Sequence, residues 1–556
     1  MDRERTWWKE AVVYQIYPKS FNDSDGDGVG DLQGVIDRLD HVESLGADVI
    51  WLNPVYESPQ ADNGYDISDY RAIHEEYGTM EDWEDLLAEV HDRGMRLIMD
   101  LVVNHTSTDH EWFRKSREGE DGYREYYYWR DGDGEEPPNN WKSGFGGSAW
   151  ERDEEVGEQY LHLFDRTQAD LNWDNAEVRE DVYEMMNWWL EKGIDGFRMD
   201  VVNLVSKPEG LPDGDPEQDW TGIEHFANGP NAQAYLEEMA ERTYDDYDTM
   251  TVGECVDVDV ETASDYVSAD GPMDMLFHFE HMFVDVGDRW LSPAEWDLTD
   301  LKAVMSHWQT ELDGWNSLYL TNHDQPRIVS RFADDGEYRR ESGKLLATLL
   351  FTLSGTPYVY QGQEIGMTNY PWSSLDELDD LQSIGKVEEA MEAGEVDAFE
   401  EVQDIVRARS RDNARTPMQW DESEHAGFTD GDPWLAVNPD YEEVNVAAAE
   451  RDGDSILQYY RTLVDVRDEN DVLVYGDYQL LIPDHEELWA YRRTLTTDGG
   501  TDEVLVVLNF DDTETVATLD DAERAGEVVV ANYDEVPTTD GVLTLRPYEA
   551  RVYELE

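Results

Sequence analysis

Short apolar runs alternate with amphipathic stretches along most of the chain. Runs at Val12 to Tyr17, Ala47 to Leu52, Arg96 to Val102, Gly196 to Val201, Met250 to Gly253, Met275 to Phe279, Ser317 to Leu320 and Pro357 to Tyr360 read as strands. Several are apolar at nearly every position, the pattern of a parallel sheet covered on both faces. Between them, apolar residues recur at helical spacing over Leu32 to Leu45, Met80 to Arg93, Ala176 to Glu191, Ala232 to Tyr244 and Glu341 to Leu353. Eight strands with helical crossovers predict an α/β fold, a (β/α)8 TIM barrel, with its functional groups at the carboxyl ends of the strands. The segment from Asn104 to about Trp173 is too long for a connection and predicts an inserted subdomain, 104–173, after the third strand. A second insertion, about 366–421, follows the eighth strand and is helical around Val387 to Glu392. The barrel then spans 1–103 and 174–476. From about Asp477 short alternating runs take over, Glu487 to Arg492, Glu503 to Asn509, Glu527 to Ala531 and Gly541 to Leu545. They predict a C-terminal antiparallel β domain over 477–556, read as a β-sandwich.

Charge changes the picture of the surroundings more than of the fold. Against 41 Lys and Arg stand 130 Asp and Glu, a formal net charge of −89. Such a surface repels nucleic-acid phosphates and anionic membranes, which excludes both as partners. High net charge usually accompanies disorder, yet 20 Trp, 30 Tyr and 14 Phe within regular apolar runs describe a packed protein. Salt is the remaining explanation: in molar electrolyte the Debye length falls to about 3 Å, and repulsion among surface carboxylates is screened. The composition resembles that of proteins from extreme halophiles and predicts loss of structure or activity at low salt. Cys255 is the only cysteine, so an intrachain disulfide is excluded. The start, Met1 to Lys9, has no apolar signal core, and the longest apolar run, Leu345 to Leu353, is short of the ~20 residues that span a bilayer. The expectation is a cytoplasmic protein; the oligomeric state stays open, and a monomer is compatible with the sequence.

The strand ends carry the candidate chemistry. Arg198 and Asp200, two apart in Gly196-Phe197-Arg198-Met199-Asp200, project from one face of a strand. A guanidinium beside a carboxylate keeps it ionised, as a nucleophile requires, although an ion pair that only orders a core would look the same. The fifth run ends in Glu254 and the seventh leads into Asn322-His323-Asp324, which puts three carboxylates on one rim. Hydrolysis of a glycosidic bond needs one ionised and one protonated carboxyl group; Asp200 suits the first role, and Glu254, on an apolar strand, the second. Tyr65, His105, Phe145, Phe164 and His323 also gather after strands, and aromatic faces with polar donors are what a sugar site offers. Trp51, taken singly, fits core packing better. Asp23-Ser24-Asp25-Gly26-Asp27-Gly28-Val29-Gly30-Asp31 alternates carboxylates around glycines, as a Ca²⁺ loop does. Gly34 stands where an EF-hand has its glutamate, which leaves a single ion site or a solvated acidic turn.

Five ordered stretches go further: Ala47 to Pro54, Asp100 to His105, Gly196 to Asp200, Val252-Gly253-Glu254 and Asn322-His323-Asp324. They resemble the signature regions of the α-amylase superfamily. Trp8 to Pro18 and Arg411 to Trp420 are similar to its oligo-1,6-glucosidase and α-glucosidase branch. The resemblance implies a retaining mechanism with Asp200 as nucleophile, Glu254 as acid/base and Asp324 as stabiliser of the transition state. It implies that Arg198, His105, His323, Asp62 and Tyr65 hold the nonreducing-end glucose, and that Arg411 pairs with Asp62 to close the pocket behind it, making cleavage exo. Phe145, Phe164 and Gln168 would line the site. It further implies a structural Ca²⁺ held by Asp23, Asp25, Asp27, the Val29 carbonyl and Asp31, and no organic cofactor.

In this branch Val after the nucleophile, here Val201, goes with α-1,6 substrates; α-1,4 activity stays open, because one methyl group discriminates by only about 1–3 kcal/mol. Cys255 after the acid departs from the residues usual there. The expected function is hydrolysis of terminal α-linked glucose from small α-glucosides. Alternatives are a strict oligo-1,6-glucosidase, a transglycosylating or sucrose-acting relative, a trehalose-6-phosphate hydrolase, and a non-catalytic carbohydrate-binding or transporter-associated homologue. The sequence shows no basic cluster near the pocket for a phosphate, and the presence of all three carboxylates speaks against the non-catalytic reading.

Overall fold

The structure, a computed structural model, describes residues 5–131, 136–537, 539 and 541–556. Met1 to Glu4, part of the segment read for a signal, lie outside the described residues, as do 132–135 of the first insertion. Eight parallel strands close into a barrel: β1 (Val13–Ile16), β2 (Val49–Leu52), β3 (Arg96–Val102), β4 (Gly196–Asp200), β5 (Met250–Glu254), β6 (Met275–Phe277), β7 (Trp315–Leu318) and β8 (Thr356–Tyr360). Each strand pairs with the next in sequence and β8 pairs with β1, Val13 opposite Tyr358. Every strand residue is buried except the half-buried Arg96, because helices cover the outside and side chains fill the inside.

The covering helices are α1 (Leu32–Leu45), α2 (Met80–Asp92), α3 (Ala176–Lys192), α4 (Ala232–Arg242), α5 (Val260–Val267), α6 (Leu298–Glu311) and α7 (Arg339–Thr352). Their ends follow from local chemistry. Asp31 caps α1 through the Gly34 N–H, and Gly46 ends it in the left-handed conformation. Thr79 and Asp82 form a reciprocal capping box on α2. The predicted strand to Val201 stops at Asp200, because Val201 turns left-handed, φ 34° and ψ 42°. The seventh strand lies two residues earlier than the pattern suggested, so Tyr319 to Asp324 leave the ladder as the loop on the rim.

After β3 the inserted segment forms a three-stranded antiparallel sheet (Trp129–Arg130, Trp150–Arg152, Gln159–Leu161) and a two-stranded one, His105–Ser107 with Gln168–Asp170. After β8 comes α8 (Leu381–Ala393), longer than the stretch read as helical. The C-terminal part is an antiparallel five-stranded sheet in the order β9 (Asp477–Leu480), β10 (Leu488–Thr497), β11 (Gly500–Asn509), β15 (Ala550–Leu555), β13 (Ala525–Ala531). A two-stranded sheet, β12 (Thr515–Thr518) with β14 (Val542–Leu545), packs on it through Leu488, Leu505, Val507, Leu543 and Leu545. Its other face, with Trp489, Tyr491, Val506 and Val552, joins the main core.

Candidate active site

At the carboxyl ends of β3, β4 and β5 one buried guanidinium gathers three carboxylates. Arg198 Nη1 reaches Asp100 Oδ1 at 2.5 Å and Asp200 Oδ1 at 2.8 Å, and Nη2 pairs with Glu254 Oε2. The expected Arg198–Asp200 pair is therefore shared. Asp100, which opens one of the signature stretches but was given no role there, also accepts from Trp51 Nε1 at 2.9 Å. Burial pushes the Asp200 carboxyl well above its usual range; Arg198 opposes this, while Glu254, Asp100 and Asp324 add to it. Burial also raises Asp324, but His323, Arg411 and Arg415 outweigh it and hold that carboxyl well below its usual range.

These groups open into a cleft of about 360 Å³. Asp62, Tyr65, His105, Phe145, Phe164, Gln168, Asp200, Val201, Glu254, Asp324 and Arg411 all line it. Arg198 and His323 stand one layer behind the wall, 1% and 0% exposed. His323 stacks on Tyr65 with ring centroids 5.2 Å apart. Burial lowers His105 to about 4, so it is neutral; its Nε2 lies 3.1 Å from the Tyr65 carbonyl, and its Nδ1 faces the Asn104 amide. Gln168 Nε2 donates to Asp62 Oδ2 at 3.0 Å. Arg411 Nη2 meets Asp62 Oδ1 at 3.3 Å, and its guanidinium lies 4.6 Å from the centre of the Phe145 ring. Burial lifts Asp62 to about 6, with Arg411 and Arg415 opposing.

Val201 is the strained point of the wall. A β-branched residue in the left-handed region costs on the order of 1–3 kcal/mol. The turn brings the Val201 N–H to within 3.4 Å of Glu254 Oε2 while its side chain lines the cleft. Cys255 is fully buried and absent from the lining, where Val256 appears instead.

The far side of the cleft, made of Trp220, Ile223, Val256, Phe279, Met282, Phe283 and Val286, went unread in the sequence. So did four cations that line it: Arg289, Arg331, Lys386 and Arg409. This corrects the expectation that no basic cluster lies near the pocket, since residues far apart in the chain assemble it. Each has an acidic or carbonyl partner. Arg331 chelates Asp285 at 2.9 and 2.6 Å, Lys386 meets Asp219 at 3.2 Å, Arg289 meets Glu395 at 3.3 Å, and Arg409 holds the carbonyls of Trp290 and Asp285.

In the loop after β1, ligand oxygens of Asp23, Asp25 and Asp27 lie within 4.8 Å of one another, a hard-oxygen set that fits a divalent cation. Asp31 stands outside that group: Oδ1 caps α1 through Gly34 N at 2.6 Å, and Oδ2 accepts from Ser24 N at 2.8 Å. Val29 donates its N–H to Asp27 Oδ1 at 2.8 Å.

A (β/α)8 barrel with grouped carboxylates and aromatic walls at the carboxyl ends of its strands has the arrangement that glycoside hydrolysis needs. The model of the α-amylase catalytic domain matches residues 15–476, and the chain belongs to the α-amylase family. It is an α-glucosidase-type enzyme, 52% identical over 567 residues to an oligo-1,6-glucosidase of Bacillus cereus, with 100% of each chain covered. Among solved structures, an isomaltulose synthase of Klebsiella sp. LX3 is 44% identical, with TM-score 0.96 and 100% of each chain covered. A trehalose-6-phosphate hydrolase of Bacillus licheniformis is 48% identical, with TM-score 0.93, covering 99% of this chain and 100% of its own. Among the described residues, no helix is long and apolar enough to cross a membrane.

Proposed function

We propose that the chain is an exo-acting, retaining α-glucosidase that removes terminal nonreducing glucose from short oligosaccharides, α-1,6-linked and α-1,4-linked, in a salt-rich cytoplasm. The observation that carries this reading is Arg198 holding Asp200 and Glu254 on adjacent nitrogens. Carboxyl groups kept side by side suit the separation of about 5–5.5 Å of a retaining reaction, with no room for a water between them. The Arg411–Asp62 pair closes one end of the cleft, so a single terminal sugar fits beyond the scissile bond.

In the first step an Asp200 oxygen attacks C1 of the terminal glucose, the C1–oxygen bond breaks, and Glu254 gives its proton to the leaving oxygen. In the second, Glu254 takes a proton from water, water attacks C1, and the bond to Asp200 breaks, releasing glucose with its anomeric configuration retained. Asp200, whose carboxyl is pushed up by burial and by its acidic neighbours, attacks in its ionised form, which the Arg198 guanidinium on its Oδ1 favours. Asp324, held ionised, faces the sugar hydroxyls and the developing positive charge. Asp23, Asp25 and Asp27 would hold Ca²⁺, which neutralises their charge and braces the loop leading into α1.

A second reading, cleavage of a phosphorylated disaccharide, draws on the four cations of the far wall and on the relative named for that activity. Each of the four already pairs with a carboxylate or a carbonyl, which offsets its charge, so a neutral sugar is favoured. The test is glucose release from isomaltose, maltose and trehalose 6-phosphate in molar KCl, with Asp200→Asn as control. Glucose from isomaltose or maltose supports the reading. A preference for the phosphorylated sugar, or no release by the folded wild type, overturns it. If maltose exceeds isomaltose, Val201 does not set linkage, and Val201→Thr will leave the ratio unchanged.

A further inference from the structure

The acidic run Asp376-Glu377-Leu378-Asp379-Asp380 reads as solvated surface in a chain of this charge, and Asp376, Glu377 and Asp379 are exposed. Asp380 is not: it is 0% exposed, and five donors converge on its carboxylate. Oδ1 accepts from Arg411 Nε at 2.6 Å and Gln382 N at 3.0 Å; Oδ2 accepts from Arg411 N at 3.0 Å, Ser383 Oγ at 2.5 Å and Ser410 Oγ at 3.2 Å. Burial raises this carboxyl, yet Arg411, Arg415 and Ser383 outweigh it and keep it ionised.

The distances order the contacts of Arg411. Toward the cleft its nitrogens stand 3.3 Å from Asp62 and 3.5 Å from Asp324, while toward Asp380 the approach is 2.6 Å with the backbone N–H gripped as well. The short, doubly anchored, fully buried bond sets where the guanidinium lies; the longer ones follow from it. We infer that Asp380 is a positioning residue, which holds the Arg411 guanidinium from behind so that it closes the cleft against Asp62. The role of the segment after β8 is then to supply the end wall with its anchor. The inference rests on the glucosidase reading for the role of that wall.

Asp380→Asn tests it, because asparagine keeps the helix cap on α8 while removing the charge. The expected result is a KM for isomaltose at least tenfold higher, with disaccharide appearing among the products from a linear α-1,6-linked tetrasaccharide. In an Arg411→Ala background the same substitution adds no further rise in KM. A lowered Tm with wild-type KM and products, or an equal added effect in the Arg411→Ala background, overturns the inference. If Asp380→Asn does not fold, Asp380→Glu, which keeps the charge and displaces it by one methylene, is read in the same way. Failure of the glucosidase reading shows separately, as a wild type that releases no glucose. The affinity for glucose by calorimetry then still reads the positioning role, with tenfold weaker binding in Asp380→Asn expected and equal binding refuting it.

Discussion

Arg198→Lys tests the logic of the carboxylate cluster. The arginine serves Asp100, Asp200 and Glu254 through two terminal nitrogens, and a single lysine ammonium at the end of a flexible stem leaves at least one carboxylate without its partner. A hydrogen bond to a charged group contributes about 1.5–3 kcal/mol, and 1.36 kcal/mol is tenfold in rate, so kcat falls by about 10- to 150-fold. Because Arg198 is 1% exposed and stands behind Asp200, KM for isomaltose changes by less than about threefold. The acid limb of the rate profile also moves. Arg198 is the cation opposing the upward push on Asp200, so weakening it raises that group further, and activity is lost at a higher pH as the pH falls. The assay is initial rates on isomaltose in molar KCl across pH, with Tm as a check on folding. An unchanged kcat with a raised KM, or an acid limb displaced to lower pH, would refute the shared-guanidinium argument.

Three further outcomes are expected. Dilution from molar to 0.1 M salt lengthens the Debye length from about 3 to 10 Å and lets the net charge of −89 act across the surface, so Tm falls steeply; a Tm independent of KCl would remove the salt-adapted reading. Asp62, lifted to about 6, is ionised above that pH and neutral below, so KM rises as pH drops through 6. In Asp62→Asn that dependence is flat, and a steep one would assign it elsewhere. Chelation lowers Tm by a few degrees and Ca²⁺ restores it, since a ligand at about 100 times its Kd contributes about 2.7 kcal/mol. Asp25→Asn removes the response, and a response that survives it places the ion away from the loop after β1.

Local pattern decided a great deal. The eight barrel strands are buried over nearly their whole length and mostly apolar, because a parallel sheet lies between covering helices and a filled interior; the charged exceptions, Asp100, Arg198, Asp200 and Glu254, are the site itself. The spacing of two between Arg198 and Asp200 put both on one side of β4, where the structure has them bonded. What lies at the ends of separate strands was legible only as candidates on a rim. Their partners were not: Asp380 carries no local mark among 130 acids, and the stretch from Asp100 to His105 stood out without showing that Asp100 shares Arg198, since burial of a carboxylate depends on cations supplied from distant segments. The cations of the far wall show the same limit, as Arg289, Arg331, Lys386 and Arg409 meet only after β6, β7 and β8 have closed the barrel. Sequence by itself determined the barrel, the order of its strands and the carboxylates at their ends. Beyond the Arg198–Asp200 and Arg411–Asp62 pairs, tertiary structure decided which charges neutralise which, because electrostatic pairing in a buried site follows distance in space.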